Sequence, residues 1–101
     1  MGDSFVYILY SSSLDRYYIG FTIGSPEARL ERHLKDPYAD AYTKKASDWI
    51  LFWHMKCESI IQARKIEAHI KQMKNRAYFQ NLKKYPEIAQ KLLYKFGNEK
   101  L

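Results

Sequence analysis

Two β-prone apolar runs, FVYILY (5–10) and YYIGF (17–21), stand six residues apart near the amino terminus. The polar stretch between them, Ser11-Ser12-Ser13-Leu14-Asp15-Arg16, reads as a hairpin loop, so the chain starts as an antiparallel pair. Any fold for the rest must cover the apolar surface of that hairpin. Gly20, inside the second run, predicts a bulge or a close approach of another group to the backbone.

Further along, Ser25-Pro26-Glu27 offers an N-cap, a proline at the first helical position and an acid in the first turn. The helix that follows is expected to reach about Lys35 and to stop at Asp36-Pro37. Residues 37–48, with AYTKKAS, read as a loop or a short irregular helix, and WILFWHM (49–55) reads as a buried strand. From Glu58, the residues Ile60, Ala63, Ile66, Ile70, Met73 and Ala77 recur at helical spacing, predicting one long amphipathic helix. A last helix is expected from Pro86 to Gly97 with Ile88, Leu92 and Phe96 inward. The expected fold is α+β, in the order β-β-α-β-α-α. A three-stranded, mostly antiparallel sheet is flanked by helices in a single domain over 1–101, with its core at about 4–85.

Composition narrows the functional classes. A hydrophobic share of 47% and a charged share of 28% fit a soluble globular protein. No apolar run approaches a membrane helix and no signal-peptide pattern opens the chain, so a cytoplasmic protein is expected. Cys57 is alone, which excludes an internal disulfide and a cysteine metal cluster. The net charge of +6 is unevenly spread: residues 1–61 carry seven Lys/Arg against eight Asp/Glu, residues 62–101 ten against three. Such a basic carboxy-terminal part suits a surface that meets phosphates, although a lysine-rich solvated helix surface has the same composition.

Individually, the polar residues have ordinary explanations. Arg29 and His33, four apart on one helical face, are most often solvated surface. Glu67 beside the apolar stripe suits an i,i+4 ion pair with Lys71, and Tyr7 and Tyr18 suit a core. His54 and His69 show no ligand spacing and read as structural.

The ordered set is more specific. Tyr7 in Phe5-Val6-Tyr7, Tyr18-Ile19-Gly20, then Arg29 and His33 in YIGFTIGSPEARLERH, and finally Glu67 in EAHIKQMKN together resemble the GIY-YIG endonuclease superfamily. The resemblance covers roughly residues 4–85 and is strongest to small single-domain bacterial members related to the nuclease domain of the excinuclease. Phe5 stands where the first motif has glycine, and the segment from Gly20 to Arg29 is one residue longer than in some relatives. Many relatives have an asparagine beyond the glutamate; Asn75 and Asn81 are the candidates for that position.

The resemblance implies metal-dependent hydrolysis of DNA phosphodiester bonds, in repair or recombination of particular DNA structures. Glu67 would hold Mg²⁺, with Mn²⁺ as a substitute, and the metal would act as a Lewis acid on the phosphate. Arg29 would donate to non-bridging oxygens. Tyr7, assisted by His33 or Tyr18, would serve as general base despite an ordinary tyrosine pKa of about 10, with His33 as the competing base. Tyr17 must point to the opposite sheet face from Tyr18 and reads as packing. Lys44, Lys45, Lys71, Lys74, Arg76, Lys83 and Lys84 would contact DNA. Larger relatives carry a DNA-targeting domain, so a protein partner would supply targeting here. The alternative is a catalytically silent nucleic-acid-binding module, which would not need a glutamate near phosphate.

Overall fold

The computed structural model describes residues 3–35 and 42–97. β1 (Ser4–Ser11) and β2 (Arg16–Ile23) pair antiparallel, Tyr7 opposite Gly20 and Leu9 opposite Tyr18. β3 (Trp49–Cys57) pairs antiparallel with the other side of β1, giving the order β2-β1-β3. β1, from the most apolar run, is therefore the central strand. The expectation of a buried strand at 49–55 is corrected by this order. β3 is an edge, where Ile50 is exposed and only Trp49 and Cys57 at its ends are buried.

A single extra residue lets β3 serve two cores. Trp53 pairs with Ile8 but Leu51 with Leu9, so Phe52 is an insertion in the ladder. Strict alternation would send Trp49, Leu51, Trp53 and Met55 to one face; the bulge turns Trp49 and Leu51 to the other.

On one face, α2 (Ile60–Met73), α3 (Arg76–Lys84) and α4 (Pro86–Gly97) cover the sheet. Val6, Ile8 and Ile19 pack there with Ala63, Ile66, Ile70, Leu82 and Leu92. Full burial of each larger aliphatic side chain contributes about 1.5–3 kcal/mol, so this is the main source of stability. Ser59 caps α2 by accepting the Gln62 N–H at 3.0 Å. The buried Gln62 amide donates to the Leu93 carbonyl at 2.9 Å, which joins α2 to α4 without an orphaned polar group.

The one long helix expected from Glu58 to Ala77 is two helices. Lys74 takes a left-handed backbone (φ 46), and Asn75 starts α3 by accepting the N–H groups of Ala77 and Tyr78 at 2.8 and 3.2 Å. This local carboxamide competes with helix continuation. Met73 and Ala77 keep the helical period but are exposed; Phe79 and Leu82 enter the core instead. The order thus gains one helix, β-β-α-β-α-α-α. His69 is half-buried against Tyr78 and Phe96, and burial followed by the Lys95 charge lowers its pKa.

The other face carries α1 (Pro26–Lys35) and a short 3₁₀ turn, Thr43–Lys45. Ser25 caps α1 as expected, its hydroxyl accepting from Ala28 N at 3.1 Å. Tyr7, Leu9 and Trp49 form the smaller core here with Leu30, Tyr18 and Tyr42. The stop expected at Asp36-Pro37 lies outside the described residues.

Candidate active site

Strand alternation puts Tyr7, Tyr18 and Gly20 on the α1 face of the sheet, and Tyr17 on the other, where it packs on Phe52 and Phe79. The Tyr7 ring lies directly over the Gly20 backbone. A Cβ at position 20 would stand 2.7 Å from the Tyr7 hydroxyl oxygen and 3.2 Å from the Tyr18 ring. Of the two readings of Gly20, close approach is the one realised; the bulge of the sheet lies in β3.

His33, 4% exposed, closes over the tyrosines from α1. The Tyr7 hydroxyl and His33 Nε2 are 3.1 Å apart, and the rings of Tyr18 and His33 meet edge-on at 5.3 Å. On its far side His33 Nδ1 lies 3.1 Å from Thr43 Oγ1. Thr43 is held in turn by the Trp49 indole, which donates to its carbonyl at 3.0 Å. A threonine hydroxyl can donate or accept, so it supports either imidazole tautomer. With the proton on Nδ1, Nε2 accepts the Tyr7 O–H. The two candidate bases are therefore one hydrogen-bonded unit.

Arg29 sits one turn before His33 on the same helix. Its Nε is buried and has no hydrogen-bond partner among the described residues. An unmatched buried N–H is costly unless a hydrogen-bond acceptor completes it.

Glu67 comes from the other layer. Arg64 lies over the Phe21 ring at 5.6 Å, while Lys71 shares a cavity wall with Tyr17 and Ile19. Between them along α2, Glu67 belongs to the layer on the opposite side of the sheet from Tyr18 and Gly20. Its side chain is 17% exposed and its carboxylate pairs with the more exposed Lys71 at 3.1 Å, the ion pair expected from their spacing. Among the described residues no three His, Cys, Asp or Glu side chains cluster around a metal position. Magnesium does not require such a cage, since it takes one or two carboxylates and completes its shell with water and phosphate oxygens. A largely buried oxygen donor whose counter-charge is a solvent-exposed lysine fits that demand.

The remaining candidates divide by layer. Lys44 and Lys45 follow Thr43 in the 3₁₀ turn on the tyrosine face, with Lys45 5.2 Å from the Tyr42 ring centre. Lys74, Asn75 and Arg76 gather at the α2–α3 junction on the opposite face. Lys83 lies over Phe52, and Lys84 over Tyr85, at the end of α3. Asn75 spends its side-chain carbonyl on the cap, and Asn81 is exposed on α3, its backbone carbonyl accepting from Tyr85. Neither asparagine joins the tyrosine–histidine cluster. Thr43 and Trp49 were not singled out from sequence, because no local spacing ties either to a histidine on another element. His54 is exposed and opposite Tyr7 in the ladder, hence on the same face.

No helix among the described residues is long and apolar enough to cross a membrane. No curated protein and no solved structure matches the chain significantly. The family model of the GIY-YIG catalytic domain matches residues 3–84, a span that holds Tyr7, Tyr18, Arg29, His33 and Glu67. The chain belongs to the GIY-YIG family and carries its nuclease domain.

Proposed function

We propose that the protein is a metal-dependent endonuclease that hydrolyses DNA phosphodiester bonds with the residues gathered around Tyr7. The observation that carries this reading is the hydrogen-bonded Tyr7–His33 pair with, one turn earlier on the same helix, an Arg29 Nε that is buried without a partner among the described residues. A scissile phosphate would complete the guanidinium, which binds non-bridging oxygens in its planar fork. Tyr7 would pass its own hydroxyl proton to His33 Nε2 and take the proton of the attacking water in its place, with the second nitrogen of His33 held by Thr43. Tyr18, packed on His33, would orient water or phosphate with its hydroxyl. Glu67 would hold Mg²⁺, which when bound supplies Lewis-acid stabilisation of the charge that develops on phosphate. The basic helices would contact the DNA backbone with little sequence preference.

The test incubates the pure protein with supercoiled, branched and flapped DNA, in Mg²⁺, in Mn²⁺ and in chelator. Cutting in either metal and its loss in chelator are expected. Preference for branched over linear DNA would extend the reading to repair or recombination substrates. Binding without cutting under every condition would leave a silent nucleic-acid-binding module in its place.

A further inference from the structure

On the face opposite Tyr7, the start of β2 and the α2–α3 junction line an open cavity of about 270 Å³. Four cations, Arg16, Lys71, Lys74 and Arg76, line it against the single carboxylate of Asp15, with Tyr17 in the wall. That carboxylate is already matched. It accepts from Arg76 Nη1 and from the Tyr10 hydroxyl, each at 2.8 Å, and the Arg76 bond, then the Tyr10 bond, holds its pKa low. Arg16 and Lys74 have no ion pair among the described residues.

Backbone conformation marks the same place. Asp15 (φ 54) and Lys74 (φ 46) are the two non-glycine residues with left-handed backbone among the described residues, and both line this cavity. Helices that end in this conformation usually place glycine or asparagine there. A lysine keeps an ammonium at the cavity despite an unfavourable backbone. The helix dipole favours a cation near this end, but at any position of the last turn and not at the strained one.

Two alignments tie the cavity to the candidate active site. Glu67 and Lys71 fall at i and i+4 on one face of α2, and Lys74 is the cap residue that ends the same helix. Tyr17, in the cavity wall, and Tyr18, against His33, are consecutive residues of an edge strand.

We propose that this cavity binds a backbone phosphate of the nucleic acid, a neighbour of the phosphate that is cut, so that the strand wraps the edge of β2. The proposal rests on the nuclease reading, and its test separates the two. Backbone amide NMR spectra of the full chain are titrated with inorganic phosphate, then with a short single-stranded DNA in chelator, for the wild type and Lys74→Gly. Glycine accepts the left-handed backbone, so the variant is expected to fold at least as stably. Both ligands should move the amides of Arg16, Lys74, Asn75 and Arg76. Lys74→Gly should bind DNA about 3–10-fold more weakly, with a salt slope smaller by about one. Phosphate shifts confined to the Arg29–His33 region, or a Lys74→Gly affinity for DNA equal to wild type, would overturn the assignment. A phosphate response at Lys74 without any change in DNA affinity counts against it equally. Cleavage in Mg²⁺ is scored separately. A protein that cuts DNA while its cavity stays silent refutes the cavity alone, and one that never cuts while its cavity answers to DNA refutes the nuclease reading alone.

Discussion

Tyr7 and Gly20 face each other across the β1–β2 ladder so closely that the phenol occupies the space of a position-20 side chain, with 2.7 Å between a built Cβ and the hydroxyl oxygen. The glycine thereby sets where the Tyr7 hydroxyl stands, within reach of His33. Gly20→Ala is expected to push the ring off this position. Overpacking of this kind costs about 1–3 kcal/mol and should lower the melting temperature. Cleavage should fall about as far as in Tyr7→Phe, on the order of 10²-fold, the usual loss of a general base. Thermal unfolding and cleavage rates of both variants check this. A Gly20→Ala enzyme with the wild-type rate would show that the phenol's position is immaterial.

Thr43, itself buried, meets His33 at the ring nitrogen that faces away from Tyr7. Thr43→Val keeps the shape and removes one buried hydrogen bond, with an expected stability loss of about 1 kcal/mol. The turnover rate should drop about tenfold while KM for DNA stays near wild type, because the imidazole loses its orientation and not its substrate contacts. Thr43→Ser should restore both rate and pH profile. Failure of serine to rescue would reduce Thr43 to a packing residue.

Glu67→Gln preserves size and helix propensity while removing the carboxylate charge. Loss of the ion pair with the exposed Lys71 should cost only about 0.2–0.5 kcal/mol. DNA binding in chelator should hold or tighten, since a negative charge beside phosphate is gone. Cleavage should nearly vanish, and Mn²⁺ should recover little. Cutting at the wild-type rate would remove Glu67 from the site and return it to the helix surface.

Asp48 anchors the hairpin loop. Its carboxylate accepts from the hydroxyls of Ser11 at 2.6 Å and Ser13 at 3.0 Å, and from the Ser13 N–H at 2.8 Å. These bonds, Ser11's first, lower its pKa to about 2 from 3.8. A depressed carboxyl pKa contributes stability that is fully present above the unfolded value and is lost as pH falls through the folded one. The contribution should therefore fade between 3.8 and about 2. Asp48→Asn should be less stable than wild type at neutral pH, with the gap closing across that acid window. Urea unfolding at several pH values measures it; a gap that ignores pH would mean that these bonds do not depend on the charge.

Much of the candidate site depends on spacings short enough to read along the chain. A period of two puts Tyr7 and Tyr18 on one face and sends Tyr17 to the other. A period near four joins Arg29 to His33 and Glu67 to Lys71. The N-cap at Ser25 is likewise local, since a cap bonds within a turn.

What the sequence left open concerns partners far apart in the chain. WILFWHM is apolar enough to be central, yet β1 takes the centre because it alone pairs on both sides, which leaves β3 an edge. The insertion at Phe52 exists only relative to its partner strand, and without it Trp49 would not reach Thr43. Helical period alone ran through Lys74 and Asn75, where a capping carboxamide and the core's demand for Phe79 and Leu82 redirect the chain. The sequence by itself therefore determined which side chains share a face of each strand or helix, because backbone geometry repeats locally. Only the tertiary structure decided that His33 meets both Tyr7 and Thr43, and that Glu67 stands in the helical layer on the opposite side of the sheet from Tyr18, because those placements follow from how separate elements bury their apolar faces together.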